Sequence, residues 1–452
     1  MTIAEELAQF TSGLGPGNIP PDVRDKARAC LLNGYGIALA GLGTPYEPVA
    51  RAAAQAMGGG AAEASYLGSG EKGSVAGAAL ANGALFHGRG QEDTCGAAHL
   101  GAVMIPLLMG LVESGRADMG ELIPAMVAGY EVGGLFEELL AGDTTPRGFR
   151  ATTLYGVGAA AAAVARLLRM DAGRTCAALG NAVSFSGGLL QTFAEGTDEW
   201  RYQVGVTAQA GWTAAELARA GSVSLRAGYE GPKGLAMAFA GRPLDPQVVR
   251  ARIGRDWQTR RVAFKPFPVC AFNQTPVTAA IRLRDRLAEG PGGAIARVRV
   301  LMNPYECGYA GMDSKGPFST IGGTLMSIPF CIAQTLLRGA PSMAMMTDYD
   351  DPAINALVDR VDLVADPAIP TLGCRIEVAL ADGRSLLEDC RMTPADYAWP
   401  IDELQERLRR TVAQEGIAPE RIDELAAFCA DPVGAGVAAL NAVFARARAE
   451  RG

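Results

Sequence analysis

From Met1 to about residue 258 this chain spells one helix after another, and the small residues lining those helices limit what it can build. Pro20 and Pro21 open a segment that runs through DVRDKARACLLNGYGIALAG to Gly41, because proline suits a first helical turn and glycine suits the cap beyond the last. GELIPAMVAGYEVGGLFEELL, TLYGVGAAAAAVARLL and AGRTCAALGNAVSFSGGLL are each long enough for several turns, with Asp171 as a start signal for the third. Thr2 and Glu5 stand at capping-box spacing in MTIAEELAQF. Faces built from alanine and glycine predict helices packed closely, with backbones nearer than larger side chains would allow.

The text changes near Phe264. IARVRVLMNPY (295–305) alternates apolar and polar residues with β-branched enrichment, and CRIEVALADGRSLLEDC (374–390) reads as two strands around an Asp382-Gly383 turn. Between them TLMSIPFCIAQTLLRG predicts a helix ended by Gly339, and VDRVDLVAD predicts a further strand. After Asp396 the helical grammar returns in IDELQERLRRTVAQEG and GAGVAALNAVFARARAE. The predicted fold is therefore mostly α: a large all-α domain from both chain ends (1–262 and 397–452), with a smaller α+β domain (263–396) inserted and a ligand-sized cleft between the two.

Composition excludes several functions. The 452 residues are 49% hydrophobic and 20% charged, enough apolar material for a large core without staples. Lys plus Arg number 41 against 48 Asp plus Glu, a net charge of −7, and no basic tract tracks a phosphate backbone, so nucleic acid is not an expected partner. The amino terminus lacks the basic and apolar regions of a secretion signal. The uncharged run between Asp93 and Glu113 holds His99, Pro106 and several glycines, which predicts a buried helix after a loop and not a membrane span. Nine cysteines without a CxxC pair fit reduced thiols in a cytoplasm, and no spacing supports a zinc site.

Both histidines of the chain fall in ANGALFHGRGQEDTCGAAHLG, where His87 and His99 bracket Glu92, Asp93 and Thr94. The only neutral-pH proton carriers thus lie beside an acidic pair in a glycine-rich segment, which makes this stretch the leading candidate for acid-base work. A metal site using His87, His99, Glu92 and Asp93 is chemically conceivable, but its spacing is of low specificity. Gly156-Val157-Gly158 with Ala161, and Gly434-Ala435-Gly436 with Ala439, match a loose GxGxxA pattern, yet neither follows a strand, so helix packing accounts for both. Ser184 and Ser186 in VSFSGG form no nucleophile elbow. Three cationic segments, with Arg147 and Arg150, with Arg201, and with Arg260, Arg261 and Lys265, lie among glycine, proline or aromatic residues; singly, each reads as a solvated surface charge.

Taken in order, these segments resemble the MmgE/PrpD family, which includes 2-methylcitrate dehydratase, cis-aconitate decarboxylase and iminodisuccinate epimerase. The residues that carry the resemblance span the chain: CLLNGYGIALAG, ALANGALFHG followed by EDT and His99-Leu100-Gly101, AMVAGYEV, GFRATTLYGVGAAAAA, EGTDEWRYQVG and FKPFPVC. It implies a helical domain with an α+β lid, an active site between the domains, a homodimer and no cofactor. The family's acid-base residues match Asp93, Thr94 and His99, and its conserved lysine matches Lys265. Departures concern binding positions: Gly148-Phe149-Arg150 replaces a frequent Gly-Phe-His, Trp200-Arg201-Tyr202-Gln203 replaces a lysine before Leu-His, Cys270 replaces a histidine of some members, and Gly90 replaces an aspartate.

Family reactions all remove or replace a proton next to a carboxylate, which requires a base, an acid and cations that hold carboxylates. His99 and Asp93 are assigned as the acid-base pair, with Thr94 orienting and Lys265 acting with them. Arg150, Arg201, Tyr202, Gln203, Cys270 and His87 are assigned to the substrate. The expected activity is a metal-independent lyase on a small di- or tricarboxylate, in the manner of 2-methylcitrate dehydration. Epimerisation, decarboxylation, and a pseudoenzyme that only binds polycarboxylates are the alternatives.

Overall fold

The structure is a computed structural model and describes residues 1–58, 61–289 and 293–451. The chain is mostly helical, with small sheets, and it divides into two compact units.

The first unit comprises Met1–Gly188, Arg201–Phe264 and Ala398–Gly452. Its leading helices are α1 (Ile3–Gly13), α2 (Pro21–Ala40), α3 (Tyr46–Gly58), α4 (Val75–His87), α5 (Leu100–Glu113), α6 (Leu122–Thr144), α7 (Ala151–Leu167) and α8 (Ala172–Ser184). Their ends follow the sequence signals. Thr2 and Glu5 close a capping box on α1, Gly41 caps α2, and the Asp171 carboxylate accepts from Arg174 N at the start of α8. α4 and α7 are buried along their lengths, and α5 through its first twelve residues, so they present no polar face. Small residues make this possible: a Cβ on Gly205 would lie 2.6 Å from the Leu80 backbone, and one on Gly211 would lie 2.4 Å from the Ala160 side chain. Two two-residue pairings, β1 (Ala64–Ser65) with β2 (Lys72–Gly73) and β3 (Thr94–Cys95) with β4 (Val262–Ala263), complete what matters here.

The second unit comprises Leu189–Trp200 and Lys265–Tyr397. Its sheet has the order β6-β5-β7-β8, from β5 (Ile295–Met302), β6 (Val361–Ala365), β7 (Gly373–Leu380) and β8 (Ser385–Arg391). β5 and β6 are parallel, so the chain between them crosses over through helices, whereas β7 and β8 form the antiparallel pair around Asp382-Gly383. Cys374, Ile376, Val378 and Leu380 point to the core, while Arg375 and Glu377 point outward and pair with Asp389 and Arg299 across the strands. The helix expected over TLMSIPFCIAQTLLRG is two, Ile321–Met326 and Ile328–Arg338, because Ser327 breaks the first and its hydroxyl caps the second, with Pro329 in the opening turn. Leu190, Phe193 and Trp200 pack into this unit's core with Val269, Met312 and Met326, which is why residues 189–200 leave the helical text around them. Among the described residues no helix is long and apolar enough to cross a membrane.

Candidate active site

α4 ends at His87, and the chain reverses through Gly90 and Gly96, both with φ near +60°, a region glycine enters without strain. Cys95 and Ala98 exchange backbone hydrogen bonds of 2.8 and 3.1 Å, the Thr94 hydroxyl donates to the Gly96 carbonyl, and β3 is pinned by β4. α5 then starts at Leu100 with His99 in the N-cap position, its backbone N–H donating to Thr152 Oγ1 at 3.1 Å. Because the His99 side chain makes no capping bond, its ring is turned to other partners.

Glu92 joins the two histidines. Its Oε1 lies 3.0 Å from Nδ1 of His87 and 3.0 Å from Nδ1 of His99, and the ring centroids are 5.2 Å apart. His99 Nδ1 also lies 2.9 Å from the Asp93 carbonyl oxygen. The side chains of His87 and Glu92 are 1% exposed, whereas that of His99 is 15% exposed, so His99 is the imidazole a ligand can reach. The Asp93 carboxylate accepts from the Tyr130 hydroxyl on α6, and burial together with that carboxylate raises Tyr130 well above its ordinary pKa, keeping it a donor. Asp93 also sits over the first turn of α5, since a Cβ on Gly101 would lie 2.6 Å from each of its carboxylate oxygens. The positive end of that helix favours an anion there. Among the described residues no group of three or more His, Cys, Asp or Glu side chains is placed to hold a metal ion.

The two arginines read singly as solvated charges are instead fully buried: Arg150 is 1% and Arg201 0% exposed. Arg150, at the N-cap of α7, donates to Gln203 Oε1 at 2.8 Å and meets His87 Nε2 at 2.6 Å. Arg201 donates to the Gly88 carbonyl at 3.2 Å and stacks 3.8 Å above the Tyr46 ring. Both therefore border the histidine segment within the first unit. Tyr202 is half-buried on the same helix, Glu199–Arg219, as Arg201 and Gln203. Lys265 and Cys270 belong to the second unit. Lys265 is buried, and burial pushes the Cys270 thiol up to about 11, so it stays protonated near neutrality.

Three residues of this neighbourhood carried no signal in the sequence. Tyr130 holds Asp93 from across 37 positions. Lys26 lies 4.1 Å over the Phe264 ring, and burial lowers its amine below the ordinary lysine value while the Asp93 charge opposes that fall. Glu131, next to Tyr130, accepts from Gln258 N (2.8 Å), Thr259 N (2.9 Å) and Thr259 Oγ1 (2.7 Å), bracing the turn that leads into β4 and so into Thr94.

Burial pushes Glu131 up to about 7 from 4.5. The folded protein thus holds this proton more tightly than the unfolded chain does. The resulting stabilisation is complete below pH 4.5 and is lost as pH rises through about 7, a swing of roughly 3 kcal/mol. In urea unfolding at pH 5 and pH 8, the wild type is expected to lose roughly that amount relative to Glu131→Gln, which cannot titrate. Equal losses in both proteins would refute the assignment.

Residues 5–247 match the MmgE/PrpD N-terminal domain and residues 267–413 match the MmgE/PrpD C-terminal domain. The chain belongs to the MmgE/PrpD family. Among curated relatives, this MmgE/PrpD protein is 27% identical to the cis-aconitate decarboxylase-like protein oryM of Aspergillus oryzae, over 94% of this chain and 93% of the relative. It is 26% identical to the cis-aconitate decarboxylase of Aspergillus terreus, over 77% and 74% of the two chains. The Glu92-bridged histidines, the Asp93–Tyr130 pair and the buried Arg150 and Arg201 are thus features of a family member, described at its own residues.

Proposed function

We propose that this protein is a lyase acting on a small di- or tricarboxylate, and that its reaction is decarboxylation of a cis-aconitate-like substrate. The observation that carries the reading is the Glu92-bridged histidine pair, in which the one reachable imidazole, His99, is backed by a buried carboxylate beside Asp93 and Tyr130. Similarity over 94% of the chain to a cis-aconitate decarboxylase-like protein and over 77% of it to a cis-aconitate decarboxylase favours loss of CO2 over the dehydration expected from the sequence.

In such a step the bond to the departing carboxylate breaks and its electron pair remains on the substrate framework, delocalised toward a neighbouring carboxylate. CO2 leaves, and a proton from the imidazolium of His99 is added to carbon. Glu92 stabilises that imidazolium before transfer. Lys265 is proposed as a cation for a substrate carboxylate, a role supported by the family resemblance.

The test is turnover of the purified protein on cis-aconitate, 2-methylcitrate and an aminodicarboxylate, followed as CO2 release, water loss and deuterium exchange. CO2 release from the unsaturated tricarboxylate is expected, and Lys265→Ala should lower its kcat/KM by about tenfold or more. Water loss without CO2 would replace decarboxylation by hydro-lyase chemistry. Exchange alone would replace it by epimerisation, and thermal stabilisation without any turnover would mean a binding protein.

A further inference from the structure

The geometry points to Arg150 as a positioning residue that sets the tautomer of His87, the ring that shares the Glu92 carboxylate with His99. Arg150 Nη2 lies 2.6 Å from His87 Nε2. A guanidinium can only donate, so that imidazole nitrogen must be the acceptor and carries no proton. His87 is then a neutral ring with its one proton on Nδ1, the atom 3.0 Å from Glu92 Oε1. His99 meets the same oxygen at 3.0 Å and the Asp93 carbonyl at 2.9 Å, again through Nδ1. Both of those oxygens accept, so this Nδ1 also carries a proton, and Nε2 is the nitrogen of His99 that gains and loses one.

The lock is directional because its first member cannot be reversed. A neutral imidazole can donate through either nitrogen, and a carboxylate can accept from either ring, but only the guanidinium has one role at every working pH. Arg150 is itself held. Its side chain is 1% exposed, its Nη1 donates to Gln203 Oε1 at 2.8 Å, and its backbone N–H donates to Gly188 O at 3.1 Å. Gln203 therefore helps to aim Arg150. His87, at 1% side-chain exposure, stands between Arg150 and Glu92. The tautomers follow from contacts in the first unit alone, whereas the use of His99 Nε2 in proton transfer rests on the lyase reading above.

A chain with two histidines makes the test direct. The full-length protein labelled with 15N-histidine contains only two imidazoles, and His87→Gln assigns them. Long-range 1H–15N correlation spectra at pH 7.5 are expected to show His87 with a protonated Nδ1 and a bare Nε2, and His99 with a protonated Nδ1. Wild-type His87 protonated on Nε2, or on both nitrogens, would overturn the proposal without reference to any substrate. In Arg150→Met, which removes the donor facing Nε2, the His87 pattern is expected to gain a proton on Nε2. Turnover on the substrate found above should fall in Arg150→Met by about tenfold or more in kcat with KM little changed. A raised KM at unchanged kcat would instead make Arg150 a substrate contact and overturn the positioning role. An unchanged wild-type tautomer assignment in a protein that turns over none of the tested acids would leave the lock intact and reject the lyase reading.

Discussion

His99→Ala is expected to lower kcat by about a hundredfold or more while leaving the protein folded. The argument is local. The ring makes no capping bond to α5, and the Nδ1 of His87 still meets Glu92 when it is gone, so the fold is expected to survive its removal. It nevertheless takes away the only imidazole that a ligand can reach. Asp93→Asn should fall by a comparable factor for another reason: the amide can still meet Tyr130, but the charge over the first turn of α5 is gone. Steady-state kinetics with circular dichroism on both variants checks this. Near-normal kcat in His99→Ala would remove the ring from the chemistry.

Gly101→Ala is expected to reach the same carboxylate through packing. The added methyl would lie 2.6 Å from both Asp93 oxygens and 2.7 Å from the Tyr130 hydroxyl, closer than real Cβ atoms approach anything. Either the carboxylate moves or α5 does. Overpacking of this kind costs about 1–3 kcal/mol, and a shift of about 1 Å in a catalytic group can cost about a hundredfold in rate. Gly142→Ala is the matched control, since nothing lies within 4 Å of its Cβ near the end of α6, and it should be neutral or stabilising by up to about 1 kcal/mol. The measurements are thermal unfolding and kcat/KM for both. If Gly101→Ala matched its control in both, Asp93 would not be held where these contacts place it.

Much of the helical architecture was legible because its signals are local. Pro21 and Gly41 bound α2 through backbone preferences that no distant residue alters. The break at Ser327 was less visible, because SIP sits inside an apolar run whose periodicity reads as continuous. The departure of Leu189–Trp200 into the second unit was not visible at all. Phe193 and Trp200 are ordinary apolar residues until Val269 and Met326, far along the chain, form the core they enter.

At the site the same division holds. His87, Glu92, Asp93 and His99 stood out together because they are close in sequence and are the chain's only imidazoles beside an acidic pair. Read from sequence, His99 pairs with Asp93, whereas the ring nitrogen meets the carboxylate of Glu92. The turn at Gly90 and Gly96 brings Glu92 to both rings and leaves His99 with the backbone carbonyl of Asp93, whose own carboxylate goes to Tyr130. Taken singly, Arg150 and Arg201 read as solvated charges because exposure is the common fate of a lone arginine; the resemblance assigns them to the substrate, and only packing shows them buried.

By itself the sequence determined the succession of helices, the change to strand patterning near Phe264 and the segment in which proton chemistry is concentrated. Periodicity, caps and composition act over a few residues, and each can be read in place. Only the tertiary structure decided that Tyr130 meets Asp93 across 37 positions and that Arg150 meets His87 across 63. Those partners are chosen by how whole helices pack, which is settled by burying surface over the entire unit and by no short stretch of chain.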